Sequence, residues 1–87
     1  MMSAFSHRTG RAVHPLQRQF GMVLRRQREA TGLSQEALAA QANLHRNYVG
    51  LLERGQRMPS ILVVQQLAAA LGTTMSELLA EVEQEPA

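Results

Sequence analysis

The chain has 87 residues, 45% of them hydrophobic but only 3% aromatic, with no cysteine and a net charge of +2. This length suits one small domain, because chains of this size bury only about 60% of their unfolded surface on folding. A core without large rings favours close-packed helices, and the lack of cysteine excludes disulfide bonds and thiolate metal sites. Because no apolar run approaches the roughly 20 residues of a membrane span and no signal-peptide segment is present, we expect a cytoplasmic protein.

Charge is distributed unevenly along the chain. Residues 1–57 carry nine arginines and three glutamates, a net charge of +6, whereas residues 58–87 carry four glutamates and no arginine, a net charge of −4. The basic part suits a polyanionic partner, and the arginine fork matches phosphate and guanine edges better than a lysine ammonium does. A genome composition that favours arginine codons explains the use of arginine equally well.

The domain is predicted to span residues 15–83, between a flexible basic arm at residues 1–14 and an acidic tail at residues 84–87. Pro15 fits the first turn of helix 1, and Gly32 fits its C-terminal cap. Between them, one apolar stripe at helical spacing consists of Leu16, Phe20, Val23, Leu24 and Gln27.

Two shorter helices are predicted next. Ser34 can cap helix 2, which ends near Asn43, and helix 3 begins at His45 or the next residue and ends at Gly55. Their inward faces consist of Leu38, Ala39 and Ala42 on helix 2 and of Val49 and Leu52 on helix 3.

The short connection between these two helices has a geometric consequence. Helices joined by a turn of three or four residues cross steeply, so the residues at the crossing must be small and compact. Ala39 and Val49 are placed for those roles. Asn43 tolerates the positive φ that such a turn requires.

Two further helices complete an all-α, five-helix prediction. Ser60 can cap helix 4, which Gly72 ends, and Thr74 with Glu77 forms a capping box at the start of helix 5. The predicted inward residues are Leu62, Val63, Leu67, Ala70 and Leu71 on helix 4 and Leu78, Leu79 and Val82 on helix 5.

The stretch from about Leu24 to Leu79 resembles the helix-turn-helix domain of the phage repressor and Cro-like family of DNA-binding regulators. The segments that carry the resemblance are "GLSQEALA", "YVGLLERG", "RMPS" and "LAAALG". Two positions depart from the family pattern: Asn43 stands where the family usually has glycine, and Gly50 stands where it usually presents a polar side chain to DNA. The second departure removes one potential base contact and costs about 1 kcal/mol of helix propensity.

The resemblance implies that helix 3 lies in the major groove and reads bases through its N-terminal residues. The candidate base-reading positions are Arg46, Asn47 and Gly50. Arginine can bind O6 and N7 of guanine together, and asparagine can bind N6 and N7 of adenine. The alternative is that Arg46 and Asn47 are solvated residues at a helix start.

Four further residues are expected to contact the DNA backbone. Gln35 stands at the start of helix 2, where free amides and the helix dipole attract phosphate. His45 caps helix 3 and would donate to a phosphate more strongly when protonated. Arg54 and Arg57 flank Gly55 in the following loop. Each residue has an ordinary alternative role, as a polar helix-start residue, a helix cap or a solvated loop charge.

Glu53 lies on the helix expected to contact DNA, where an exposed carboxylate would repel phosphate, so it needs a cationic partner. In the family that the sequence resembles, the equivalent glutamate pairs with an arginine of helix 1, and Arg28 matches that position. We therefore expect a partly buried ion pair between Arg28 and Glu53 that fixes helix 3 against helix 1.

Enzymatic and metal-binding roles have little support. The three histidines, His7, His14 and His45, have no acidic partner at helical spacing, and the sequence contains no aspartate. We expect no catalytic activity, no metal site, no cofactor and no small-molecule ligand.

A single helix-turn-helix reads few base pairs, so we expect a homodimer on a short palindromic site in double-stranded DNA. Helix 5 is the candidate interface through Met75, Leu78, Leu79 and Val82, although packing on helix 1 would use the same side chains. A sequence-specific transcriptional regulator is the preferred interpretation. The alternative is a protein-interaction adaptor or an antitoxin with the same fold.

Overall fold

The computed structural model describes residues 14–87, and residues 1–13 of the predicted arm lie outside the described residues. Within residues 14–87 the chain forms five helices and no strand, which confirms the all-α prediction. In chain order they are α1 Pro15–Ala30, α2 Gln35–Ala42, α3 Arg46–Glu53, α4 Ile61–Ala70 and α5 Met75–Gln84. None of these five helices alone is long and apolar enough to cross a membrane. Helices α4 and α5 reach the necessary length and apolar content only when they are taken together, and the pair is bent by 103°.

Side-chain caps begin three helices where the sequence predicts them. The hydroxyl groups of Ser34, Ser60 and Thr74 each accept a hydrogen bond from the backbone amide three residues later, at 3.0 to 3.2 Å. The Glu77 carboxylate accepts from the hydroxyl of Thr73 at 2.7 Å, so the reciprocal half of the capping box predicted with Thr74 is wrong. This hydrogen bond from Thr73 lowers the pKa of Glu77.

His14, which the sequence pattern assigns to the arm, caps α1. Its backbone amide donates to Gln17 Oε1 at 3.1 Å, and its Nδ1 accepts from the Leu16 amide at 3.0 Å. The pattern missed this cap because the usual capping residues are serine, threonine, aspartate and asparagine.

All five helices contribute to the core. Its buried residues are Phe20, Val23 and Leu24 of α1, Leu38, Ala39 and Ala42 of α2, Val49 and Leu52 of α3, Val64, Leu67 and Ala68 of α4 with Leu71 after it, and Leu78 and Val82 of α5. Two residues predicted to point inward are exposed instead, Leu16 at 41% and Leu62 at 58%, whereas Val64 and Ala68 fill the core. Because apolar residues surround most of α4, "ILVVQQLAAA", and its two glutamines are adjacent, its pattern did not fix which face turns inward.

Helix α1 supports α3 through a close backbone approach. A methyl group at Gly21 would overlap the carbonyl oxygen of Leu52 and lie 2.7 Å from that of Glu53, so only glycine fits. One turn earlier on α1, the Cα of Arg18 lies 3.1 Å from where a Cβ on Gly55 would stand. These approaches allow α1 to support both α3 and the turn that follows it.

The C-terminal end of α5 is attached to α1. The Glu85 carboxylate accepts from Arg26 Nη2 at 2.9 Å, and its side chain is only 12% exposed. Gln19 Nε2 donates to the backbone carbonyl of Glu85, and Glu81 lies 3.8 Å from the same Arg26 guanidinium. Glu85, predicted as part of an acidic tail, therefore packs against α1.

Candidate nucleic-acid interface

The turn between α2 and α3 has the tight geometry that the sequence predicts. Asn43 adopts the left-handed conformation, with φ 60° and ψ 44°, and the Leu44 amide donates to the Ala39 carbonyl at 2.8 Å. Ala39 and Val49, predicted to meet at the crossing, are 2% and 0% exposed. With its inner residues buried in this way, α3 leaves its outer face in solvent.

Arg46 and Asn47 begin α3, and both are exposed. Arg46 Nη1 lies 4.0 Å from Glu36 Oε1, with the two side chains 62% and 79% exposed. Exposed ion pairs contribute only about 0 to 1 kcal/mol, so the guanidinium can leave Glu36 for another acceptor at little cost. Arg46 and Asn47 are termed the reading edge below.

His45 caps α3 through its ring. Its Nδ1 accepts from the Asn47 amide at 3.1 Å, which leaves Nε2 to carry the ring proton. A second proton on Nδ1 would remove this acceptor. Protonation, expected to strengthen a bond from His45 to phosphate, would therefore also remove the cap from the reading edge.

Gly50 does not belong to the reading edge. It is buried because two side chains cover it: a Cβ there would lie 3.1 Å from Arg54 Nη1 and 3.7 Å from Gln35 Oε1. The assignment of Gly50 as a base-reading position is therefore corrected. The sequence could not indicate this cover, because Arg54 reaches back from the end of the helix.

The loop after α3 carries two exposed arginines, Arg54 and Arg57. Gln17 Nε2 of α1 donates to the Gly55 carbonyl at 3.4 Å, so α1 supports the turn between them. Arg18, beside this contact, is also exposed and adds a charge that the sequence analysis did not single out. The sequence showed only that Arg18 is a basic residue, because no local pattern places it near the loop after α3.

Behind the reading edge, Glu53 binds Arg28 and Gln35. Arg28 donates to the carboxylate from Nε at 2.6 Å and from Nη2 at 3.1 Å, and Gln35 Nε2 donates at 2.9 Å. The Glu53 side chain is 3% exposed and that of Arg28 12%. The hydrogen bond from Arg28 to Glu53 raises the pKa of the guanidinium above its usual value. One carboxylate thus joins α1, α2 and α3, and Gln35 is a second partner of Glu53 that the sequence did not suggest.

Most of the stripe on α5 that was predicted to join two copies is used inside the chain itself. Leu78 is 0% exposed and Val82 2%, because α5 packs against α1 and α4. Assigning these two residues to an interface between copies is therefore wrong. Met75 and Leu79 are partly buried against the same core.

Exposed apolar side chains lie instead around a cleft of about 180 Å³ between α1, the loop before α4, and α5. Leu16 is 41% exposed, Met58 47% and Ile61 68%. Pro59 and Leu79 border the same cleft. These five residues are termed the apolar patch. The sequence indication of this patch is "MPSI", because Met58 and Ile61 are apolar but do not belong to the inward face predicted for helix 4.

No metal centre is formed in the part of the chain that the structure describes. There, no group of three His, Asp or Glu side chains could hold an ion. His7 lies outside the described residues, and His14 and His45 serve as helix caps.

These features define a class of protein. Two short helices are packed through buried small residues, α1 supports the second helix from behind, and an exposed arginine and asparagine begin that helix. This is the architecture of a helix-turn-helix DNA-binding protein.

A family model described as helix-turn-helix matches residues 24–78, and the chain belongs to this family of phage repressor and Cro-like proteins. The control protein C.MunI of Mycoplasma sp. is 43% identical over 67 residues, which cover 76% of this chain and 90% of that protein. The HTH-type transcriptional regulator y4dJ of Sinorhizobium fredii is 35% identical over 66 residues, which cover 76% of this chain and 86% of that one.

A solved structure gives the same result. The restriction-modification controller protein C.AhdI from Aeromonas hydrophila matches with a TM-score of 0.73 and 46% identity, covering 75% of this chain and 98% of that one. With its fold and its relatives in agreement, the chain is a DNA-binding transcriptional regulator.

Proposed function

We propose that this regulator is a restriction-modification controller that binds a short palindromic DNA site as a homodimer, with α3 in the major groove. The observation that carries the DNA-binding mode is the reading edge, exposed at the start of a helix whose inner side Glu53 joins to α1 and α2. The controller role is supported by 43% and 46% identity to C.MunI and C.AhdI over 90% and 98% of their lengths.

The two residues of the reading edge have complementary chemistry. Arg46 can donate to O6 and N7 of a guanine, and Asn47 can pair with N6 and N7 of an adenine. Each such bidentate contact provides about 1–3 kcal/mol of discrimination between bases. Because α3 is supported from behind, both side chains enter the groove in a defined position.

Phosphates on either side of the groove are bound by groups around the two helices. The backbone amides of Gln35 and Glu36 begin α2, where free N–H groups and the helix dipole attract an anion. The Gln35 side chain itself is engaged by Glu53 and therefore positions α2. His45, through Nε2, and Arg57, from the loop, donate to neighbouring phosphates.

A second copy of the chain covers the apolar patch. The side chains of the patch carry no charge, so two copies related by a two-fold axis meet there without electrostatic repulsion. Burying them is favourable by about 25 cal/mol for each Å² removed from water. Leu79 keeps α5 at this interface, although Leu78 and Val82 are committed to the core.

Selection of bound sequences from a random duplex pool tests this proposal. We expect a palindrome with half-sites about one helical turn apart, and an affinity whose log–log slope against salt is near −5 for about six phosphate contacts. An asymmetric consensus would contradict dimeric binding, and a lack of salt-dependent duplex affinity would favour the adaptor alternative. Finding the palindrome beside restriction-modification genes in the source genome would support the controller role; its absence there would contradict that role.

Arg46→Ala should weaken binding to the selected operator by about 1–3 kcal/mol more than binding to a random duplex. Arg57→Ala is the matched control: loss of a phosphate contact should weaken both duplexes alike and reduce the salt slope by about 1. Equilibrium titration of each variant against both duplexes measures the difference. Equal losses on the two duplexes for Arg46→Ala would assign this residue to the DNA backbone.

A further inference from the structure

Glycine at position 50 needs an explanation, because it lies in the middle of the helix that faces DNA. In a helix interior, glycine is the least favourable residue apart from proline. Gly50 does not have a positive φ, unlike Gly32, Gly55 and Gly72, so its backbone conformation does not require glycine. The feature that favours glycine here is instead the space that a neighbouring side chain occupies.

That side chain belongs to Arg54, at the C-terminal end of α3. Its Nη1 lies 3.1 Å and its Cζ 3.8 Å from where a Cβ on Gly50 would stand. Side chains on a helix lean toward its N-terminus, and four residues rise by about 6 Å, so the guanidinium lies back at the level of Gly50. Arg54 Nε also donates to Gln56 Oε1 at 3.3 Å, which orients the group.

The folded-back guanidinium lies on the outer side of α3. Asn47, Gly50 and Arg54 follow the spacing i, i+3 and i+7, which is that of one helix face, and the core residues Val49 and Leu52 lie on the opposite side of α3. Arg57 differs, because it lies beyond the end of the helix. The Arg54 guanidinium is thus about one turn beyond Asn47, on the face that the proposed function assigns to base reading.

We propose that Arg54 is a base-reading residue whose guanidinium takes the place of the side chain absent at position 50 and donates to O6 and N7 of a guanine. This inference rests on the proposed function and moves Arg54 from the phosphates to the bases. The planar fork of arginine matches a guanine edge, and with Nε engaged by Gln56 its two terminal nitrogens remain for that edge. Gly50 then has a definite role, which is to leave room for this group.

Arg54→Lys separates a guanine contact from a phosphate contact, because lysine keeps the charge but lacks the fork. We expect the ratio of affinities for the selected operator and for a random duplex to fall about tenfold or more, with the affinity for the random duplex close to that of the wild type. Arg57→Lys is the matched control and should leave this ratio unchanged. An unchanged ratio for Arg54→Lys overturns the inference and returns Arg54 to the phosphates.

Gly50→Ala tests the link between the two residues. A methyl group at position 50 requires the Arg54 guanidinium to move by a few tenths of an ångström, which misaligns its fork with the guanine edge. This variant should therefore lose selectivity in the wild-type background but lose no more in the Arg54→Lys background. Its melting temperature should not fall, because alanine is the better helix former and the end of the Arg54 side chain can move. Selectivity losses that simply add in the double variant would overturn the link.

Failure of the proposed function and failure of this inference give different results. If the wild-type chain shows no salt-dependent affinity for duplex DNA, the proposed function is wrong and this inference is wrong with it. If the wild type selects an operator and Arg54→Lys discriminates it equally well, only the assignment of Arg54 is wrong.

Discussion

The Glu53 carboxylate accepts three hydrogen bonds and has almost no contact with solvent. Two of its donors come from Arg28 on α1, and the third comes from Gln35 on α2. A buried charge that loses its partner is strongly destabilising, whereas an exposed ion pair contributes little. The placement of α3, and with it the reading edge, therefore depends on this carboxylate.

Glu53→Gln removes the charge and leaves Arg28 without its counter-ion. We expect it to lower the free energy of unfolding by about 3–5 kcal/mol and to weaken DNA binding. Glu29→Gln is the control, because Glu29 pairs with Arg25 at 3.1 Å in solvent with side chains 56% and 65% exposed, and it should change stability by no more than about 0.5 kcal/mol. Chemical denaturation measures both variants. An unfolding midpoint unchanged by Glu53→Gln would contradict this role.

Residue roles were predictable where they depend on local spacing. Asn43 has its positive φ, and Arg46 is exposed, because both follow from where two helices end and begin along the chain. The cover over Gly50 and the bond from Gln35 to Glu53 were not predictable. Each depends on the conformation that a long side chain adopts, Arg54 folding back along α3 and Gln35 reaching from α2 to α3, and the spacing of residues alone does not fix that conformation.

At the scale of elements, the contact between α1 and α3 depends on a glycine that no periodicity marked. In the sequence, Gly21 only interrupts the pattern of helix 1. In the structure it lets the backbone of α1 approach the carbonyl groups that end α3. The support behind the reading edge therefore depends on the close approach of the α1 and α3 backbones as well as on the ion pair between Arg28 and Glu53.

Gly21→Ala should destabilise the protein although alanine is the better helix former. Its methyl group would overlap the Leu52 carbonyl, so α1 and α3 must separate, which we expect to cost about 1–3 kcal/mol. Propensity alone would instead stabilise the helix by about 1 kcal/mol, so the sign of the change in melting temperature distinguishes the two effects. Gly50→Ala, whose methyl would meet the flexible end of Arg54, is the control. A higher melting temperature for Gly21→Ala would contradict the close approach.

Helix boundaries were more predictable than helix faces. Capping residues mark the starts of α2, α4 and α5 in the sequence, and the structure has caps there. Helix α4 is apolar except for two adjacent glutamines, so its sequence did not indicate which face is buried. For this reason Leu62 was predicted to point inward and Val64 was missed. On α5, Leu78 and Val82 formed a stripe that could serve a core or a partner, and only the packing against α1 and α4 decides between them.

At the scale of the whole molecule, the DNA-binding class was predictable because several short motifs stand at fixed spacing along one stretch. Assembly was less predictable. An apolar side chain has the same sequence signature whether it fills the core or contacts a second copy, so the apolar patch became visible only when the helices were assembled.

Ile61→Glu should convert the proposed homodimer into a monomer. Ile61 is 68% exposed, so the variant should fold, but the dimer would place two unpaired carboxylates in an apolar interface. Sedimentation without DNA measures the mass. Met22→Glu is the control, because Met22 is 50% exposed and does not border the cleft, and it should stay dimeric. A dimeric Ile61→Glu would contradict the role of the patch, and a monomeric wild type would contradict the homodimer.

Because α3 is supported entirely from its inner side, the two residues of the reading edge have almost no share in folding. During divergence, new operator preferences can therefore arise by exchange at Arg46 and Asn47 without loss of stability. Changes at Gly21 or Glu53 would be removed by selection because they destabilise the fold. Retargeting the protein by design follows the same rule: the inner support is kept constant, Arg46 and Asn47 are varied freely, and Gly50 is varied only together with Arg54.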